Sequence, residues 1–280
     1  MNILITGSGG YVGKNLKEYF AEKHSLLTPR SFELDLTNAE DVKEYFSKND
    51  IDFIVHCGSV GGYRTHQDKD TTIEDNLAMV ENILNNKKVE CRVILFGSGA
   101  MYNKFRDLKK VNETEIGKNI PEDLYGKSKL LISELIKNRA DVLCLNIFGC
   151  YGKHEKETRF PTYVIKQNLN HLPIEINQNV VFDYLFIEDL CKIIEFFIES
   201  IFPKENIINV TPTESISLAE IANIINSLSD YKSEIVIKNQ KLNYEYTGSN
   251  QRLLSLIPDF EFTSYENGLK KLWSYINEEN

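Results

Sequence analysis

Tyr125 and Lys129 stand four residues apart in DLYGKSK, residues 123–129. In a helix, that spacing is about one turn and places a phenol and an ammonium on the same face. A cation beside a phenol favours its ionised form. Such a tyrosine can give a proton to an alcohol or sugar oxygen, or take one from it, as hydride moves at the adjacent carbon. Ser98, at the end of the apolar run VILFGS, precedes Tyr125 by 27 residues and could hydrogen-bond the same oxygen. The bland alternative is a solvated helix after Pro121, with Lys127 and Lys129 wetting its surface.

These residues need a scaffold, and the first half of the chain supplies its rhythm. Short apolar runs (NILIT, DFIVHCG, CRVILFGS, DVLCLNIFG) alternate with amphipathic stretches, which predicts a parallel sheet covered on both faces. Ser98 then falls at the carboxyl edge of that sheet, where open α/β folds bind ligands. Directly after the first strand, TGSGGYVG places Gly7, Gly10 and Gly13 at a strand-to-helix turn. Glycine there lets the backbone approach a pyrophosphate, whose charge the amides of the next helix stabilise. The second strand is followed by LLTPRSFELDL, with Arg30 where NAD-preferring folds place a carboxylate for the ribose. An arginine there suits a 2′-phosphate, so NADP(H) is favoured and NAD(H) stays open, the plain alternative being an exposed loop arginine. Asp35 follows at the adenine side.

From about Tyr151 the texture changes, with KHEKETRFPTYVIKQNLN, a short strand pair near IEINQNVVFDYLF, and helices at IEDLCKIIEFFIES and SLAEIANIIN. Ser217 and Glu220 form a capping box at the last of these. The fold class expected is therefore α/β: a Rossmann-type doubly wound parallel sheet with a smaller C-terminal substrate lobe. Residues 1–150 are expected to form the dinucleotide-binding domain, with a stretch at about 181–212 returning to it. Residues 151–280 are expected to form mainly the substrate-binding lobe.

Bulk properties narrow the partners. The chain has 280 residues, 42% hydrophobic and 26% charged, with a formal net charge of -9. A surface of that sign argues against nucleic acid and anionic membrane. No segment approaches the roughly 18 consecutive apolar residues of a membrane span, and no secretory leader is expected from the opening NILITG. The five cysteines lack a CxxC pair and read as buried thiols, so a cytoplasmic location is expected and the sequons NET and NVT carry no glycans. No His, Cys and carboxylate spacing matches a metal site. His56 at a strand end reads as a packed histidine lining the cofactor crevice. The cluster GGYRTHQDKD, with Arg64, His66 and Asp68, reads equally as a substrate loop or as a solvated connection.

Through TGSGGYVG, the Ser98 strand end and YGKSK, the chain resembles the extended short-chain dehydrogenase/reductases of the NAD-dependent epimerase/dehydratase family. NIFGCYG and FDYLFIEDL extend the likeness over nearly the whole length. Within the family, TPRSFELDLTNAEDVKEYF and HCGSVGG most resemble the fucose synthase branch, which acts on nucleotide-linked 4-keto sugars with NADPH. The resemblance implies Tyr125, Lys129 and Ser98 as catalytic residues. Cofactor contacts would fall on Gly7, Gly10, Tyr11, Val12, Gly13, Arg30, Asp35, Leu36, Cys57, Gly58, Asn76, Tyr125, Lys129 and Phe148. Substrate contacts would fall on Ser98, Gly99, Arg64, Arg159 and Arg252. A nucleotide-sugar substrate and a homodimer are further implications.

Departures from the family pattern shape the chemistry. Sugar 4,6-dehydratases carry an Asp-Glu pair just after the serine, whereas this chain has Gly99 and Ala100. Fucose synthases epimerise with a cysteine two residues past the serine, here Ala100, and with a histidine near the position of Arg159; His154 lies earlier in that loop. Relatives often place an arginine, for the nucleotide diphosphate, where this chain has Phe182. The chemistry left is reduction of a 4-keto-6-deoxy sugar by NADPH in surface glycan or deoxysugar synthesis. An NAD-dependent 4-epimerase using the same residues is the alternative, and a non-catalytic NAD(P)-binding regulator is the reading from another class.

Overall fold

The computed structural model describes residues 1–62 and 67–279. In chain order the elements are β1 (Asn2–Thr6), α1 (Tyr11–Phe20), β2 (Ser25–Leu27), α2 (Ala39–Lys48), β3 (Phe53–His56), α3 (Thr72–Asn86), β4 (Arg92–Ser98), β5 (Leu108–Val111), α4 (Leu124–Ile136), β6 (Val142–Ile147), β7 (Gly149–Tyr151), α5 (Phe160–Leu169), β8 (Ile174–Gln178), β9 (Val181–Phe182), β10 (Tyr184–Phe186), α6 (Ile187–Glu199), β11 (Ile207–Val210), β12 (Ile216–Ser217), α7 (Leu218–Leu228), β13 (Ile235–Asn239), β14 (Tyr246–Gly248), α8 (Gln251–Leu256) and α9 (Tyr265–Glu279). A 3-10 turn, Gly99–Tyr102, follows β4.

The chain divides into two units. The first comprises Met1–Lys104, Asn112–Ile147 and Cys191–Asn209, and the second Phe105–Val111, Phe148–Leu190 and Val210–Asn280. The first unit breaks off after Ile147 and resumes at Cys191. The returning stretch is shorter than 181–212, and the excursion at 105–111 was not legible in the sequence.

The first unit carries a six-stranded sheet in the order β11-β6-β4-β3-β1-β2. β1 pairs in parallel with both β2 and β3, and β3–β4 and β4–β6 are parallel as well. The chain thus starts at β1, steps outward to β2 and then crosses back to β3. That reversal opens a crevice at the carboxyl ends of β1 and β3. Leu4, Ile54, Val93, Leu95 and Cys144 of the sheet pack with Val42, Met79, Ile83, Ile132 and Ile136 of the helices in one buried cluster. Continuous apolar runs such as FIVH in β3, buried at every position, are what two-sided cover requires. The buried amide of Asn206 donates to the carbonyls of Ile136 (2.8 Å), Arg139 (3.1 Å) and Val142 (3.0 Å), tying the end of α4 to β6.

The second unit holds the small sheets β12-β9-β14-β5, β10-β7 and β13-β8, with α5, α7 and α9 packed on one another. The expected strand pair near residues 174–186 is three strands in three different sheets: β8 pairs with β13, β9 with β12 and β14, and β10 with β7. Strands this short take their partners from distant sequence rather than from each other. Asp183, fully buried, accepts from Ser215 Oγ (2.6 Å), Gly248 N (2.9 Å) and Lys110 Nζ (3.1 Å), and so gathers β5, β9 and β14. The capping box of α7 forms as read, Glu220 N donating to Ser217 Oγ and Ser217 N to the Glu220 carboxylate. No helix among the described residues is long and apolar enough to cross a membrane.

His56, at the end of β3, is 5% exposed and lies 2.7 Å from Thr6 Oγ1 of β1. Burial, reinforced by the nearby Lys129 charge, lowers its pKa from 6.5 to about 3. The folded chain therefore holds the imidazole neutral, while the unfolded chain protonates it below pH 6.5, so stability is lost as pH falls between those values. By pH 5 the loss from this group is about 2 kcal/mol. His56→Asn, which keeps a partner for Thr6, is expected to flatten the pH dependence of the urea-unfolding free energy between pH 6.5 and 4, roughly the window set by that shift. An unchanged slope would show that other groups carry it.

Candidate functional site

β1 ends in a turn that only glycine can make. Gly7 has φ +64°, and a Cβ there would lie 2.7 Å from Gly58 N and 2.8 Å from Cys57 C, so the turns after β1 and β3 touch through bare backbone. Gly10 N donates to Gly7 O at 2.9 Å, and α1 begins at Tyr11 with no side-chain cap and no acidic residue in its first turn. A helix end built this way presents its amides to an anion.

A crevice of about 640 Å³ opens above this turn, lined by Thr6 to Gly10, by Pro29 to Phe32, by Leu34 to Thr37, and by Gly58, Ser59, Val60 and Met79. Of the sequence-derived cofactor residues, Gly7, Gly10, Arg30, Asp35, Leu36 and Gly58 line it. Tyr11, Val12 and Gly13 form the first turn of α1 behind it. The Arg30 guanidinium lies over Gly9, so close that a Cβ there would overlap it. Ser8 Oγ donates to Thr28 O at 3.1 Å, drawing the Arg30 segment toward the glycine turn. The Asp35 carboxylate accepts from Thr37 N (2.9 Å) and Thr37 Oγ1 (2.7 Å), closing a local turn. The chemistry of the lining fits a dinucleotide: bare backbone and helix amides for a diphosphate, and a guanidinium beside them. Cys57 contributes backbone rather than a nucleophile, since burial pushes its thiol pKa far up.

Tyr125 is the second residue of α4 and Lys129 lies one turn on. Lys129 Nζ stands 5.4 Å from the Tyr125 ring centroid and donates to Phe96 O of β4 at 2.8 Å. Two residues beyond Phe96, Ser98 Oγ accepts from Ala100 N at 3.2 Å, which leaves its own O–H to donate. Lys129 and Ser98 are buried and Tyr125 is half-buried. Gly126 lets α4 approach the turn after Ser98, because a Cβ there would lie 2.8 Å from Ala100 O. The phenol, the ammonium and the serine thus belong to one packed assembly of α4 on β4.

Other expected site residues lie elsewhere. Asn76 is 2% exposed, and its side chain is engaged by Val60 N (2.8 Å), Val60 O (2.9 Å) and Ser128 Oγ (3.0 Å). It holds the Val60 loop instead of standing in the crevice as a ligand. Phe148, Arg159 and Arg252 belong to the second unit. There the Phe148 ring packs on Gly248 and Tyr246, exposed Arg159 precedes α5, and half-buried Arg252 sits in α8. His154 lies 3.3 Å from Tyr275 OH within that unit. Arg64 and His66 fall outside the described residues. Sequence reasoning missed Phe32, Thr37, Ser59 and Val60 in the crevice wall, although HCGSVGG already flagged the stretch carrying the last two. Among the described residues no group of three His, Cys, Asp or Glu could hold a metal.

Comparisons with known proteins identify the family and the fold. The model of the NAD dependent epimerase/dehydratase family matches residues 3–211. The GDP-L-colitose synthase of Yersinia pseudotuberculosis is 25% identical, covering 100% of this chain and 99% of that protein. The GDP-L-fucose synthase of Dictyostelium discoideum is 25% identical over 96% of this chain and 93% of its own. Among solved structures, a GDP-mannoheptose C4 reductase from Campylobacter jejuni with NADP bound superposes with a TM-score of 0.80 at 17% identity, covering 99% of this chain and 98% of that one.

The Gly7 contact sets the depth of the crevice. Gly7→Ala would force the turns after β1 and β3 apart and is expected to weaken NADPH binding at least about 30-fold, or 2 kcal/mol, as read by calorimetry. Wild-type affinity in that variant would place the dinucleotide elsewhere.

Proposed function

The chain belongs to the NAD-dependent epimerase/dehydratase family, and on that premise we propose that it reduces the C4 keto group of a nucleotide-activated 4-keto-6-deoxy sugar with NADPH. The observation that carries this reading is a complete Ser98–Tyr125–Lys129 set beside a turn that lacks any further acid or base. Residues Gly99–Tyr102 present Ala100, 3% exposed, where the fucose synthase branch has its cysteine. Tyr102 OH is bound 2.7 Å from Asn209 Oδ1, and burial raises its pKa well beyond the working range. Removing a proton from carbon, as epimerisation next to the ketone or dehydration requires, needs a base that this turn does not offer.

NADPH, when bound, supplies the hydride. Tyr125 would deliver the proton to the keto oxygen as carbon is reduced, and Ser98 would donate a hydrogen bond to the same oxygen, stabilising the charge that develops there. Lys129, fixed by Phe96 O, would hold the ribose hydroxyls and keep a cation beside the phenol. The product is the corresponding secondary alcohol. Arg30, in the crevice lining just after β2, where NAD-preferring folds place a carboxylate, supports NADPH over NADH. Relatives named for GDP-linked sugars, among them a GDP-6-deoxy-D-talose 4-dehydrogenase that is 24% identical over 98% of this chain, make a GDP sugar the first substrate to try.

Two experiments test the proposal. NADPH consumption against GDP-, dTDP-, CDP- and UDP-linked 4-keto sugars should identify a substrate, and Tyr125→Phe should lower kcat about 10³-fold while NADPH affinity stays within twofold. Near-wild-type turnover of that variant removes the proposed acid, and tightly retained NAD without net NADPH consumption would instead indicate an epimerase. Arg30→Ala should weaken NADPH binding by about 10- to 100-fold, the loss of one charge-assisted pair, and leave NADH binding unchanged. Equal losses for both cofactors would refute the 2′-phosphate role.

A further inference from the structure

The backbone of Tyr125 is held at both ends by the loop that follows β3. Tyr125 N–H is one of the first-turn amides of α4 that no intrahelical carbonyl can satisfy. Asp123 accepts from the next amide, Gly126 N, at 2.9 Å. Tyr125 N donates instead to Asp68 Oδ2 at 3.0 Å, a carboxylate 57 residues away in sequence. The other oxygen of the same carboxylate accepts from Gly62 N at 2.8 Å. At its carbonyl end, Tyr125 O accepts from Ser128 Oγ at 2.8 Å, and Asn76 links Ser128 to Val60.

Between these two ties the loop presses on the phenol ring. Gly62 has φ +74°, and a Cβ added there would stand 3.0 to 3.1 Å from Cε1, Cδ1 and Cγ of Tyr125, so the bare backbone lies against the ring. Gly61, at φ +87°, leaves room for the Asp68 oxygen in the same way. Asp68 therefore does two things at once: it caps the helix that carries Tyr125, and it holds Gly62 against that tyrosine's side chain.

We propose that Asp68 is a positioning residue for the proton donor, a two-oxygen clamp that fixes the Tyr125 ring by binding the Tyr125 and Gly62 amides together. The role rests on Tyr125 being the acid proposed above, although the clamp can be tested without it. Both partners are N–H donors, so both carboxylate oxygens are needed. Asparagine would keep the size but turn an NH₂ toward one of the two amides. Asp68→Asn is therefore expected to behave nearly like Asp68→Ala, which a space-filling role would not produce. A misplacement of about 1 Å at a reacting group costs on the order of 10²-fold in rate, and the cofactor crevice does not include Asp68.

The test compares full-length wild type, Asp68→Asn, Asp68→Ala and, as control, Asp70→Asn, an exposed carboxylate two residues away. In NMR spectra the Gly62 α-protons of the wild type should show the ring-current shift of a group stacked on Tyr125. That shift should collapse in both Asp68 variants, with amide exchange at Tyr125 and Gly62 at least tenfold faster, and persist in the control. With the substrate that the NADPH screen identifies, the Asp68 variants should lose about 10- to 100-fold in kcat, with KM and NADPH affinity within about twofold. Retained ring-current shifts and amide protection in Asp68→Asn would overturn the clamp even if no sugar is turned over by the wild type, which is the separate failure of the reduction itself. A collapsed shift with wild-type kcat would overturn the positioning role.

Discussion

A buried ammonium tied to a strand carbonyl organises the site. Lys129, 6% exposed, donates a hydrogen bond to Phe96 O at 2.8 Å. An isolated buried charge is costly, so a lysine in this place is tolerated only where its remaining donors meet water or a polar ligand. Tyr125, one turn before it, is half-buried, while Leu130, Ile132 and Ile136 further along the helix are buried. The same bond sets the height of the helix on β4, and Ser98 lies two residues further along that strand. The separation of phenol and serine therefore follows from how a helix docks on a strand.

The dinucleotide crevice uses the opposite device. The part of it suited to an anion is backbone: the Gly7 turn, the uncapped start of α1 and the Gly58 turn pressed against it. Positive charge enters the lining at Arg30, over Gly9. Backbone donors do not titrate and lose no side-chain entropy on binding, whereas a flexible guanidinium can discriminate at the ribose end. Under the NADPH reading proposed here, the two parts of the crevice would have separate tasks, anchoring by main chain and selection by a side chain.

What could be read in the sequence follows from how local each signal is. The strand-turn-helix at TGSGGYVG, the capping box at Ser217–Glu220 and the four-residue spacing of Tyr125 and Lys129 are settled within one turn of backbone. β5 was missed because LKKV alternates too briefly and too polarly to announce a strand, and its partner β14 lies more than a hundred residues on. The pairings of β8, β9 and β10 were misjudged for the same reason. Asp68 was seen only as one charged residue of a loop, since neither of its amide partners could be located without the fold. Asn76 was expected at the cofactor, yet its bonds run to Val60 and Ser128, a choice that burial makes and composition does not reveal.

The departures from the family pattern point in a common direction. At Gly99, Ala100 and Phe182 the ionisable or guanidinium groups of relatives are replaced by small or apolar residues, while Ser98, Tyr125 and Lys129 are all present. Ketone reduction moves one hydride and one proton, and a single phenol with a hydrogen-bonding serine covers the proton and the developing charge. Further acids and bases near a bound ketone would do harm, because a base within reach of the adjacent carbon would exchange its proton and scramble configuration. Under the reduction proposed here, the apolar turn after Ser98 protects stereochemistry by omission. A phenol meant to protonate only one oxygen must also be held still, which is what the ties of Tyr125 to Asp68 at one end and Ser128 at the other accomplish.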